Sequence, residues 1–361
     1  MPRFFVRLVM VHHGGGCLTG TVIDSATPEL ASAAFLAAMP KAELHVHLEG
    51  TLDPAQRSRF AARNGMAVAD DAPVAYTDLT GFLAAYYPAM DVLQTEQDFY
   101  DLAYAYLATA AGQQVRHAEM FFDPQAHTSR GIPFSSVVTG YHRAVVDAER
   151  DLDIGGHLIM CILRDHSVES AAQTLEASLQ FKNWIVGIGL DSDERGNPPA
   201  KFALVFARAR DEGYLLTMHC DVDQADSVEH IRQAVEDIRV DRLDHGTNIV
   251  DDPRLVALVV ERGIGLTSCP LSNAVVSSGD KSAEIAQLLR AGAKISVNSD
   301  DPAYFGGYVT ENLVALAGSG LFSRDDFVRL QRNAFETAWI PSVERDAHLA
   351  ALEEFVAGWR G

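Results

Sequence analysis

Short apolar runs rich in β-branched residues recur along this chain, and a longer amphipathic stretch follows each one. Eight runs have the length and composition of buried strands. They are "AELHVHL" (42–48), "RHAEMFF" (116–122), "HLIMCIL" (157–163), "IVGIGL" (185–190), "LLTMHC" (215–220), "RLDHG" (242–246), "GIGLTSC" (263–269) and "AKISVNS" (293–299). Helical patterns lie between them, as in "PPAKFALVFARARDEG" (198–213) and "DSVEHIRQAVEDI" (226–238). The second opens on Asp226 with Glu229 three residues on, which predicts a capping box. In "DPRLVALVVERG" (252–263), Asp252 is the expected N-cap, Pro253 the first helical residue and Gly263 the closing one.

Regular alternation of buried strand and helix predicts an α/β protein with a parallel sheet and helices outside. Eight units predict a closed (β/α)8 TIM barrel; the alternative is an open doubly wound sheet. A barrel adds a sharper expectation, because its active site sits where the strand C-termini meet. Seven of the eight strand ends are polar, and histidines recur among them. Strand one carries His45, His47 and Glu49. The next three end in "FFDPQAH", "LRDH" and "GLDSDE". Strand five brings His219, strand six Asp244-His245, and strand eight Asn298 to Asp301. Residues 53–100 read as a helical insertion after strand one. It would cover the mouth, with Phe82, Leu83, Tyr86 and Tyr87 either walling the site or filling helix core.

Composition narrows the function classes. The 361 residues are 48% hydrophobic and 22% charged, with mean hydropathy near zero, as for a soluble globular protein. Lys plus Arg number 29 against 49 Asp plus Glu, a formal charge of −20. Such a surface repels phosphate backbones and anionic lipid, so neither nucleic acid nor membrane is the expected partner. Four cysteines, Cys17, Cys161, Cys220 and Cys269, have no framework spacing and predict reduced thiols in a cytoplasmic protein. Near the start, the apolar run from Phe4 to Val11 is broken by Arg7 and followed by His-His-Gly-Gly-Gly. It reads as part of an extension over residues 1–28, expected to be disordered, rather than as a signal peptide. Residues 29–361 are expected to form one domain.

The alternation of a strand sends His45 and His47 to the same side. Joined by His219 and Asp300, they make a three-imidazole, one-carboxylate donor set that suits Zn2+, one per chain, with a position left for water. His245 would be a base or an orienting acceptor beside it. Asp301 follows Asp300 directly, so one carboxylate can ligate while the other meets substrate, or the second is satisfied by loop amides before Pro302.

Four stretches, "PKAELHVHLEGTL", "RLDHGTN", "TSCPLSN" and "VNSDDPAYFGGY", together resemble the adenosine/adenine deaminase family of the amidohydrolase superfamily. The resemblance covers roughly residues 38 to 345 and is closest to the adenine deaminase branch. Glu49 stands where adenosine deaminases usually carry Asp, and "FFDPQAHTSRG" (121–131), "LIMCILR" and "GLDS" are similar to adenine deaminases. It implies a (β/α)8 barrel with His45, His47, His219 and Asp300 as zinc ligands. His245 would activate or orient hydroxide. Asp301 would bond the purine imidazole ring, Glu49 would contact substrate at a position the family uses near the ribose, and the backbone around Gly189, Asp191 and Ser192 would lie near the pyrimidine side.

One stretch departs from the family pattern. After strand five the family has His-Ala-Gly-Glu, whose Glu protonates the ring nitrogen; here "HCDVDQ" puts Val222 in its place. Asp223 or, second, Asp221 would supply the proton after a local shift, or the donor is missing. The leading reading is deamination of adenine to hypoxanthine and ammonia. The alternatives are a deaminase of N6-substituted adenines (cytokinin-like or N6-methyladenine), another heterocycle hydrolase, or a binding protein without turnover. A purine base is the implied partner, and homo-oligomerisation is left open.

Overall fold

The computed structural model describes residues 30–67, 76–220 and 224–360. The expected extension over residues 1–28, Cys17, and the two candidate proton donors Asp221 and Asp223 lie outside the described residues. Parallel strands alternate with helices in the predicted order. β1 (Lys41–His47), β2 (Val115–Phe122), β3 (Gly155–Leu163), β4 (Ile185–Asp191) and β5 (Leu215–Leu216) form one sheet in that order. β6 (His219–Cys220), β7 (Arg242–His245), β8 (Gly265–Ser268) and β9 (Lys294–Val297) form the other.

Two seams turn these sheets into a barrel of eight staves. At the first, β5 and β6 are two halves of the expected fifth strand, separated only by Thr217 and Met218. Thr217 N donates to Ile188 O (3.0 Å) and Asp244 N to Met218 O (2.9 Å), so the intervening residues still bond to both neighbours. At the second, Val46 bridges Asp300 in parallel fashion. His47 N donates to Asp300 O (2.9 Å), and Asp300 N to His45 O (3.0 Å).

The insertion after β1 is helical as its pattern predicts, with helices Pro54–Arg63, Leu79–Ala89 and Glu96–Gly112. Asp53 caps the first through a capping box, and Thr95 caps the third. The helix Pro253–Arg262 starts at Asp252, whose side chain accepts from Arg254 N and Leu255 N, and ends on Gly263 at φ 66°. The capping box expected at Asp226 does not form. Glu229 turns instead to Arg232 (2.7 Å) and Gln233 (3.0 Å), and the helix Ser227–Arg232 runs on into a π-helical stretch, Gln233–Ile238. Cys161, Cys220 and Cys269 are all buried. Among the described residues, no helix is long and apolar enough to cross a membrane.

Side chains fill the barrel axis in layers, as in other closed parallel barrels. Phe121, Ile159 and Cys161 make a middle layer. At the N-terminal end, buried Arg242 pairs with Glu119 and lies 4.1 Å from the centre of the Trp339 ring. Burial opposes ionisation of Glu119, but Arg242 and His117 outweigh it and hold its pKa down at about 2. A carboxyl whose folded pKa lies below its usual value stabilises the fold above pH ~4.5, and that contribution is lost as pH falls toward 2. Removing one partner of a buried pair leaves the other charge uncompensated. Glu119→Gln should therefore lower unfolding free energy by about 3–5 kcal/mol in denaturant titrations at pH 7. The gap to wild type should shrink as pH falls below 4; an unchanged midpoint at pH 7 would show that the pair carries no such weight.

Candidate active site

Every strand-end side chain singled out as a metal ligand reaches one point at the C-terminal mouth. His45 and His47 project from β1, and His219 from β6. Asp300 follows β9 at φ 64°, a left-handed backbone that a non-glycine residue adopts at a cost. His245 (φ 58°) and Ser192 (φ 72°) share that unusual backbone. Three residues at the ends of three staves thus turn sharply where the strands stop.

The hydrogen-bond network fixes which ring nitrogens face inward. Asp244 accepts from Thr217 Oγ1 (2.6 Å) and from Thr267 Oγ1 (3.1 Å). With its own proton committed to Asp244, the Thr267 hydroxyl accepts from His45 Nδ1 (2.8 Å), leaving a lone pair on His45 Nε2. His219 Nδ1 donates to Leu190 O (3.1 Å), which leaves a lone pair on its Nε2 as well. These two nitrogens stand 3.1 Å apart, and His47 Nε2 is 3.0 Å from His219 Nε2. Asp300 Oδ1 sits 3.2 Å from His45 Nε2 and 3.5 Å from His47 Nε2.

Lone pairs packed at this distance repel unless a cation lies between them. Four donors held ~2.0–2.1 Å from a tetrahedral ion stand about 3.3 Å apart, which the observed spacing matches. The residues present therefore fit a divalent metal. Burial lowers the pKa of His45, takes His47 down to about 4 and drives His219 well below the usual value, so all three are neutral imidazoles ready to ligate. Burial works against an ionised Asp300, but His45, His245 and His47 outweigh it and hold Asp300 well below the carboxylate range. His245 Nε2 lies 3.7 Å from Asp300 Oδ2, close to the same point.

Above the donors is a cavity with one polar and one apolar side. Asp123, Asp191, Ser192, Asp301 and His245 line its polar side, while Leu79, Phe82, Leu83, Tyr86, Tyr87, Val276 and Phe305 form the apolar wall. The insertion thus supplies wall and core together: Phe82 packs on Tyr86 and Phe305 at ring distances of 5.0 and 4.8 Å. Burial pushes Asp191 up to about 7, and raises Asp123 and Asp301 well above the carboxylate range. Asp301 Oδ1 and Asp123 Oδ1 are buried with no hydrogen-bond partner among the described residues.

Two expected substrate contacts sit elsewhere. Glu49 is buried behind Asp123: its Oε1 accepts from His127 Nε2 (2.9 Å), Tyr141 OH (2.9 Å) and Asp123 N (3.3 Å). Gly189 faces the barrel interior, where a side chain would meet Cys161 Sγ, Ile159 and Phe121. Other residues of the site escaped the sequence reading. Asp123 was visible only as the polar end of "FFDPQAH". Gly50 carries no side chain because one there would run into Asp301. Arg164, fully buried, donates to His219 O (2.7 Å) and steadies the fifth stave.

Outer partners of this kind set ring orientation and ligand basicity. Replacing Thr267 by Val removes the acceptor that fixes the His45 tautomer. Metal affinity, measured by competition with a chromophoric chelator, should fall about 10–100-fold with the fold intact. An unchanged affinity would show that Thr267 does not orient His45.

Comparison with known proteins agrees with this geometry. The adenosine deaminase family profile matches residues 40–355. An adenine deaminase of Sphingopyxis alaskensis is 46% identical over 331 residues, covering 90% of this chain and 96% of the relative. The crystal structure of an adenine deaminase from Arthrobacter aurescens superposes with a TM-score of 0.85 at 39% identity, covering 89% of this chain and all of that one. A zinc-bound amidohydrolase from Burkholderia ambifaria gives 0.84 at 28% identity, covering 91% and 96%. With the donors converging at the mouth of a barrel and the match running over residues 40–355, the chain belongs to the adenosine deaminase family and is a metal-dependent hydrolase.

Proposed function

We propose that this enzyme hydrolyses adenine to hypoxanthine and ammonia, with His45, His47, His219 and Asp300 holding the metal and zinc as that metal. The convergence of three imidazole nitrogens and one carboxylate oxygen at 3.0–3.5 Å carries the reading. Neutral imidazoles with a carboxylate suit Zn2+ among common divalent ions. When bound, such an ion supplies a Lewis acid that makes water nucleophilic near neutral pH.

The chain's own residues do the rest. His245 Nε2 faces the same point as the ligands and would take, or orient, the proton of the attacking water. Asp301, beside the ligand Asp300 and backed by Gly50, would bond the imidazole edge of the base. Asp191 and Ser192 stand on the cavity wall and would meet the rest of the ring. Glu49 would act through Asp123, whose backbone it holds. The apolar wall of Phe82, Leu83, Tyr86 and Phe305 would stack on the ring and exclude bulk water. Protonation of the ring nitrogen is assigned to Asp223, with Asp221 as the second choice.

That apolar wall also supports a second reading, in which an N6-alkyl group is tolerated and leaves as the amine. Two experiments address these points. Ultraviolet assays with adenine, adenosine, N6-methyladenine and N6-isopentenyladenine should give highest kcat/KM for a free base, with adenosine lower by roughly 10²-fold or more. An N6-alkyl base that exceeds adenine would move the assignment to the second reading; no turnover of any purine would remove both. Asp223→Asn should lower kcat by about 10²- to 10⁴-fold while purine binding persists. The same loss in Asp221→Asn alone would transfer the acid role to Asp221.

A further inference from the structure

Three histidines take no part in the mouth and gather at the opposite end of the barrel. His117 on β2 and His157 on β3 lie edge to face, their ring centres 5.1 Å apart. His348 comes from the C-terminal helix Ser342–Gly358, which carries Glu344 one turn earlier. Glu119, in register with His157, lies beneath them.

The tautomer of His117 follows from its neighbours. Glu119 accepts from Arg242 and from Trp339 N, so it is an ionised acceptor, and His117 Nε2 donates to its Oε1 (3.2 Å). A neutral His117 then has its lone pair on Nδ1. That nitrogen belongs to a side chain 1% exposed, has no hydrogen-bond partner among the described residues, and faces Glu344 Oε1 at 4.0 Å. His348 Nε2, also without a hydrogen-bond partner there, faces the same oxygen at 3.7 Å. His157 Nδ1 is a third buried nitrogen left unbonded.

The lone pair of His117 Nδ1 opposite the Glu344 carboxylate is repulsive until a cation sits between them. Donors ~2.0–2.2 Å from a tetrahedral ion stand about 3.3–3.6 Å apart, so the 4.0 and 3.7 Å spacings around Glu344 need only a small side-chain movement to close on a shared ion. The Glu119–His117 contact is the carboxylate–histidine arrangement that fixes a ligating ring from behind. Burial lowers His157 and His348, which favours the neutral, ligating form.

We propose that His117, His348 and Glu344, with His157 as a further nitrogen donor, bind a second divalent transition metal that fastens the C-terminal helix to the closed end of the barrel. Nitrogen-rich, partly buried donors select a zinc- or nickel-like ion over Mg2+ or Ca2+. This end of a barrel lies away from the mouth where the reaction occurs, so the metal would raise thermal stability and leave the reaction alone.

The test strips the full-length protein of metal and titrates it with Zn2+, reading bound metal per chain, melting temperature and deaminase activity. Wild type is expected to bind about two equivalents, and Glu344→Gln and His348→Gln about one, with activity unchanged. Both substitutions sit on the partly exposed helix, and equal melting temperatures of the metal-free proteins verify that they fold. The second equivalent should raise the melting temperature of wild type and of neither variant. A single equivalent in wild type, or a second one retained by both variants, would overturn the proposal. So would a helix-dependent stabilisation that appears without metal as pH falls below 6, since the cation between these groups would then be a proton.

Discussion

Two backbone hydrogen bonds hold this site in being: His47 N to Asp300 O, and Asp300 N to His45 O. They close the barrel, and they do so between residues whose side chains are all donors. The last stave can meet the first only by bringing the Asp300 carboxylate against two imidazoles. Asp300 is therefore held in a left-handed backbone, and its neighbour Asp301 is turned toward the cavity over a glycine. Closure of the fold and convergence of these donor side chains are the same event. This explains why the site tolerates so much local cost, with facing lone pairs, three left-handed non-glycine residues and several buried carboxyls, as functional sites commonly do.

Much of this was legible in the chain before any coordinates. Strand alternation put His45 and His47 on one face, and eight βα units predicted which ends would meet. Residue type and position alone picked out four side chains that converge there. Departures from expectation arise where local pattern competes with tertiary partners. Asp226 and Glu229 have the spacing of a capping box, yet Arg232 offers Glu229 a charged partner within the same turn, and the pairing wins. The fifth strand reads as one run but forms two short pieces, and between them the Thr217 hydroxyl donates to Asp244.

Glu49 illustrates a different limit. Its place after the histidines suggested contact with substrate, but periodicity cannot say whether a side chain at a strand end points into a cavity or behind it. Here His127 and Tyr141, from segments some 80 to 90 residues downstream, take its carboxylate and leave Asp123 on the wall. Such a choice depends on side chains distant in sequence, so no single stretch encodes it. The same holds for Thr267, Asp244 and Arg164, which orient the donors from behind in a way no single stretch reveals. The closed end of the barrel is analogous: its histidines acquire meaning only when the C-terminal helix is laid across them.

The central claim is that His45, His47, His219 and Asp300 surround one metal ion. Anomalous diffraction from crystals of the metal-loaded enzyme, collected on both sides of the zinc absorption edge, tests it most directly. The account predicts a zinc peak about 2.0–2.2 Å from the three Nε2 atoms and a carboxylate oxygen of Asp300. A mouth with no anomalous peak, or a peak seated between His47, Asp123 and Asp191 instead, would contradict it.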